Sequence, residues 1–127
     1  MGKVSFLGCG SWGGALGHLL STKGAEVTMW HRNPGVTSQM NTSRKHYLVD
    51  NLFFTEKVKF TDNIKNAISN ANIIVLALPS QKIRNLITNN ISLFRGDQII
   101  VTLSKGIEID TLMTVSDIIN DVLKRVS

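Results

Sequence analysis

The sequence predicts an α/β fold: a doubly wound parallel sheet of five strands with helices on both faces. Three observations carry this expectation. Short apolar runs alternate along the chain with segments of helical periodicity, the pattern of successive βα units. One run, IIVLAL at Ile73–Leu78, is apolar at every position, as befits a parallel strand covered on both faces and placed centrally. A glycine-rich bend, GCGSWGGALG, joins the first apolar run to the first helical segment.

The elements follow in order. Val4–Leu7 reads as the first strand, and the helix after the bend carries Ala15, Leu16, Leu19 and Leu20 on one face until Gly24 stops it. Val27–Trp30 is a second strand ending at His31-Arg32-Asn33-Pro34, where Asn33 and Pro34 form a turn. A short helix from about Val36 to Arg44 and a partly buried loop, HYLVDNLFF, come next. Val58–Phe60 is a weak third strand, with Asp62 as expected N-cap of a helix through Ile64, Ala67 and Ile68. After the fourth strand, Pro79 breaks the chain and Ser80 is the expected cap of a helix bearing Ile83, Leu86 and Ile87. Gly96-Asp97 turns into a fifth strand, Ile99–Leu103, and Ser104-Lys105-Gly106 ends it. A last helix is expected from about Thr111 to Arg125, capped by Asp110 or Thr111, with Leu112, Val115, Ile119, Val122 and Leu123 on its buried face.

A chain of 127 residues suits one domain, 1–127, rather than two with separate cores. It shows neither a charged-then-apolar leader before Val4 nor an apolar run of membrane-spanning length, so a cytoplasmic protein without membrane insertion is expected. The single cysteine, Cys9, excludes an internal disulfide, and no His or Cys spacing suggests a metal site. A net charge of +5 admits nucleic acid, an acidic membrane surface or phosphorylated small molecules as partners. The cations are scattered and do not interleave with aromatics, which argues against nucleic acid.

Gly8, Gly10 and Gly13 have G-x-G-x-x-G spacing in the context that gives the motif meaning, after a strand and opening a helix within a βαβ unit. Gly8 permits the tight turn, Gly10 lets a diphosphate approach the main chain, and Gly13 lets helix and strand pack closely. Unpaired N–H groups at the helix start attract the phosphate charge. The fold is therefore Rossmann-type. The carboxylate that would hold the ribose 2′-hydroxyl of NAD at the end of the second strand is missing, since no acid lies between Glu26 and Asp50. His31 and Arg32 stand there instead, and a guanidinium suits a 2′-phosphate, so NADP is preferred over NAD. The alternative for Arg32 is a solvated surface arginine. The loops following the strands should share one crevice, bringing Ser11-Trp12, His31-Arg32, Pro79-Ser80-Gln81 and Ser104-Lys105-Gly106 together. Lys105 there is suited to a substrate phosphate or carbonyl, or else is a solvent-facing turn lysine. His18 and His46 read as a helix-surface and a loop residue, and Cys9 as a small residue in the bend.

FLGCGSWGGALG, VTMWHRN, HYL, IIVLALPSQ and LSKGIE, in this order and spacing, resemble the N-terminal domain of bacterial NAD(P)-dependent glycerol-3-phosphate dehydrogenase across essentially the whole chain. The resemblance implies reversible hydride transfer between NAD(P)H and dihydroxyacetone phosphate, giving sn-glycerol 3-phosphate for phospholipid synthesis. It also implies cofactor contacts from Ser11, Trp12 and Arg32, with His31 and Tyr47 beside them, and places Lys105 between cofactor and substrate. Cys9 and Gly14 replace the alanine and threonine common in that family's bend, and the proline usual after Tyr47-Leu48 is absent. The family's further helical domain, which carries its main catalytic lysine, is lacking from these 127 residues. No catalytic residue is therefore expected here, with Lys105 as auxiliary only; weak cofactor binding without turnover, and self-association into a homodimer, are the further expectations. The rival readings are another NADP-dependent dehydrogenase sharing the glycine bend, and a non-catalytic NADP(H)-binding module.

Overall fold

The computed structural model describes residues 2–103. Five parallel strands form one sheet: β1 (Lys3–Leu7), β2 (Glu26–Trp30), β3 (Val58–Thr61), β4 (Ile73–Leu76) and β5 (Ile99–Thr102). Their order is β3-β2-β1-β4-β5. The chain thus builds outward from β1 through β2 to β3, then crosses back to lay β4 on the other side of β1. This reversal separates the loops after β1 and β4, and crevices in open α/β sheets form at such a point. Register is continuous, with Leu7 opposite both Trp30 and Leu76.

Alternation along the buried strands divides the core in two. Phe6 and Val75 face one side with Val27, Met29, Val58 and Phe60; Leu7, Ile74 and Leu76 face the other. On the first side lie α1 (Ser11–Thr22) and α2 (Pro34–Ser43), through Leu16, Leu20 and Met40. On the second lie α3 (Ile64–Ser69) and α4 (Ser80–Asn89), through Ala67, Ile68, Ile83, Leu86 and Ile87. Both faces of β1 and β4 are therefore covered, which is why β4 is apolar at every position and even Ser5 of β1 is buried.

Several local expectations are corrected. In α1 the buried residues are Gly13, Gly14, Gly17 and Ser21; Ala15 and Leu19 are exposed, and Leu16 and Leu20 only half-buried. The glycines face inward because the helix lies almost against the sheet: a Cβ at Gly17 would come within 2.7 Å of Met29 Cε. Helix α2 starts at Pro34, two residues earlier than periodicity suggests, since Asn33 caps it by accepting the Gly35 N–H at 2.9 Å and proline is pre-set for a first helical position. Asn63, not Asp62, caps α3, accepting from the Asn66 N–H, while the Asp62 carbonyl accepts the Trp30 indole N–H at 3.1 Å. Pro79 occupies the cap position of α4, and Ser80 is its first helical residue without a capping bond. Strand β4 ends at Leu76; Ala77 still donates its N–H to the Leu7 carbonyl at 3.0 Å, and its own carbonyl lies against Gly8. Gly24 ends α1 as expected, at φ 101° with its N–H returned to the Ser21 carbonyl. The helix expected from Thr111 to Arg125 and the turn containing Lys105 lie outside the described residues.

Candidate functional site

The glycine bend is a meeting of strand ends. Gly8 has φ +109°, its N–H is bonded to the Trp30 carbonyl at 3.0 Å, and a Cβ there would lie 2.5 Å from the Ala77 carbonyl oxygen. Both constraints demand glycine. Gly13 presses on Ala77, whose Cβ would be 3.2 Å from a side chain there. Gly10 differs: nothing lies within 4 Å of its missing Cβ. Its backbone faces open space at the start of α1, where first-turn N–H groups lack intrahelical partners.

That open space belongs to a crevice of about 700 Å³ at the point where the strand order reverses, well within the size range of small-molecule sites, roughly 300–1,000 Å³. Gly8, Cys9 and Gly10 form one wall; Trp30 ends β2, with His31 and Arg32 after it; Tyr47 comes from the loop before β3. Of the residues singled out in the sequence, Gly8, Gly10, His31, Arg32, Tyr47 and Pro79 line it, whereas Ser80 and Gln81 do not. Gly13 is buried beneath the bend. Ser11 and Trp12 instead line a second groove of about 500 Å³ with Ala15, Val49, Asn51 and Leu52. The Trp12 ring is 83% exposed there.

Among the described residues the charge of the crevice is one-sided: its lining includes Arg32 and Lys82 and no carboxylate. Burial, and secondarily the adjacent Arg32 guanidinium, hold His31 below its ordinary pKa, favouring the neutral ring. His31 Nδ1 accepts the Asn33 N–H at 3.0 Å, so the neutral ring carries its proton on Nε2. Its edge meets Tyr47, with ring centroids 5.3 Å apart. Tyr47 is pushed up by burial and, to a lesser extent, by Cys9, which keeps its hydroxyl a neutral donor. Burial pushes the Cys9 thiol up to about 12, so it is a packed small residue and not a nucleophile. Among the described residues, no group of three His, Cys, Asp or Glu could hold a metal, and no helix is long and apolar enough to cross a membrane.

Two parts of the site escaped sequence reasoning. Lys82, Asn85, Leu86 and Asn89 extend the crevice along α4. Their i, i+3, i+4, i+7 spacing was the available signal, a half-polar helix face next to the buried one. The other is His46, which is 2% exposed and touches the glycine bend itself. His18 is half-buried rather than on the surface, its ring edge-on to Phe54 at 6.2 Å.

Comparison with known proteins adds an independent line. Residues 3–127 match the family described as NAD-dependent glycerol-3-phosphate dehydrogenase N-terminus. A glycerol-3-phosphate dehydrogenase [NAD(P)+] of Citrifermentans bemidjiense is 37% identical over 95% of this chain and 36% of its own length. One from Fusobacterium nucleatum is 38% identical over 98% of this chain and 37% of its own. The chain therefore spans little more than a third of the relatives it matches. The crystal structure of glycerol-3-phosphate dehydrogenase from Coxiella burnetii superposes with TM-score 0.89 at 24% identity, covering 96% of this chain and 38% of that one, a likeness of fold.

Proposed function

The chain belongs to the NAD-dependent glycerol-3-phosphate dehydrogenase family, matching its N-terminal part, and from that premise we propose that residues 1–127 are the dinucleotide-binding domain of an enzyme interconverting dihydroxyacetone phosphate and sn-glycerol 3-phosphate. One observation carries the reading: a glycine bend open at Gly10 shares a crevice with the cations Arg32 and Lys82. A diphosphate fits the bend, where the missing Cβ leaves room and helix N–H groups point outward. Arg32, at the end of β2, receives the adenosine ribose, and with no acid to repel a 2′-phosphate NADP is preferred over NAD. His31 and Tyr47 supply neutral hydrogen-bonding rings beside it.

When bound, the nicotinamide supplies the hydride. The residues of this chain bind and orient it, and Lys105 is assigned an auxiliary place beside the phosphorylated substrate. Reducing a ketone also needs a proton donor and stabilisation of charge on the carbonyl oxygen. Among the described residues the crevice, with neutral His31, protonated Cys9 and no carboxylate, favours binding over chemistry. The 127 residues are accordingly assigned cofactor binding without turnover, in a cytoplasmic, homodimeric enzyme feeding phospholipid synthesis.

Titration of the chain with NADPH, NADH and a duplex oligonucleotide, followed by tryptophan fluorescence, tests the reading. NADPH is expected to bind more tightly than NADH, with no NADPH consumed on adding dihydroxyacetone phosphate. Binding of the oligonucleotide alone would overturn the assignment.

A further inference from the structure

We propose that His46 is a positioning residue for the diphosphate: it aims the N–H groups of the glycine bend, and Gly14 supplies the space its ring needs. The inference rests on the reading of the crevice as a dinucleotide site and names how this chain shapes it.

The ring's hydrogen bonds define its state. Nδ1 faces the backbone N–H groups of Leu48 and Val49 at 3.0 and 3.2 Å. An amide N–H only donates, so Nδ1 is the acceptor and Nε2 bears the proton. Nε2–H then donates to the Cys9 carbonyl at 2.8 Å and, shared, to the Gly10 carbonyl at 3.2 Å. One neutral tautomer satisfies all four contacts, and the ring joins the loop before β3 to the bend after β1. It also stacks on Tyr47, centroids 5.0 Å apart, so the loop it anchors is the one that brings Tyr47 to the crevice.

The consequence for the bend follows from peptide planarity. In a trans peptide the carbonyl and the next N–H point in opposite directions. Drawing the Cys9 and Gly10 carbonyls toward a buried ring turns the Gly10 and Ser11 N–H groups away from it. Gly10 borders the crevice with nothing within 4 Å of its missing Cβ, so that outward side is open. The Gly10 carbonyl also accepts the Gly14 N–H at 2.8 Å, which ties the same peptide to the first turn of α1.

Gly14 is the matching half. A Cβ there would stand 2.5 Å from His46 Cδ2 and 2.7 Å from Nε2, closer than such contacts occur. Glycine inside a helix is unfavourable relative to alanine, and Gly14 has no left-handed backbone to account for it. The ring of His46 does.

Three variants of the 127-residue chain separate positioning from simple stability. His46→Asn keeps an acceptor near Nδ1 and loses the donor; His46→Gln keeps a donor near Nε2; Gly14→Ala leaves the imidazole intact but displaces it. Each is titrated with 2′-phospho-ADP-ribose and with adenosine 2′-phosphate, which lacks the diphosphate, and unfolded in urea. His46→Asn and Gly14→Ala are expected to weaken 2′-phospho-ADP-ribose about tenfold, as for loss of a buried hydrogen bond, with adenosine 2′-phosphate unchanged and His46→Gln recovering most of the loss. Equal losses for both ligands, losses that follow urea stability alone, or unchanged 2′-phospho-ADP-ribose binding would overturn the inference while leaving the dinucleotide site standing. Failure of the parent chain to bind 2′-phospho-ADP-ribose would overturn that reading and this one with it.

Discussion

Arg32 is exposed at the carboxyl end of β2, with no carboxylate beside it among the described residues of the crevice wall. A 2′-phosphate there gains charge-assisted hydrogen bonds that a 2′-hydroxyl does not. Arg32→Asp is expected to weaken NADPH binding about tenfold to hundredfold and to leave NADH unchanged or improved, as measured by titration calorimetry. Its neighbour gives a pH signature. Burial and Arg32 lower the pKa of His31 from its ordinary 6.5, so just below that value the unfolded chain binds more protons than the folded one. Stability attributable to His31 is therefore full above the ordinary value and declines as pH falls through it toward the lowered one. In urea unfolding at stepped pH, His31→Gln should show a shallower loss between about pH 7 and 5 than the parent. The spacing of Gly8, Gly10 and Gly13 and the cation at Arg32 were legible in the sequence, since each speaks through residue type at a set distance from a strand. The place of His46 was not, because its partners are backbone atoms of Cys9 and Gly10, which any residue would present.

Elements were legible where periodicity was strong and less so at their ends. The continuous apolar run at β4 identified a strand covered on both faces, yet the strand ends at Leu76, two residues before the run does, where the Ala77 carbonyl lies against Gly8. In α1 the expected face is offset: Leu16 and Leu20 flank the core, Ala15 and Leu19 are exposed, and the closest packing, on Met29 and Ala77, leaves room for glycine and not for leucine. Helix caps give a sharp test of such boundary differences. Asn63 bonds the Asn66 N–H, so Asn63→Ala should cost about 1 kcal/mol. Asp62 contributes a main-chain carbonyl to Trp30, so Asp62→Ala should stay within about 0.5 kcal/mol of the parent. Urea midpoints of the two variants, taken together, distinguish the observed cap from the expected one.

At the scale of the molecule, a single sheet separates two apolar layers, and adjacent residues of β1 point into different ones: Phe6 into the layer with Met29 and Met40, Leu7 into that with Ile74 and Ile83. Because the strands are shared, damage to either layer should unfold both. Phe6→Ala should cost about 3–5 kcal/mol and Leu7→Ala about 2–5 kcal/mol, each within one transition seen alike by circular dichroism and tryptophan fluorescence; separate transitions would contradict the shared sheet. By itself the sequence determined the alternation of strands and helices, the parallel βαβ beginning and the glycine bend, for these depend on periodicity and on backbone freedom that local residue types express directly. Only the tertiary structure decided which face of α1 is buried, how far α4 extends the crevice and where His46 lies. Those outcomes turn on how close two elements come and on which main-chain atoms meet, distances set by the packing of segments far apart in the chain.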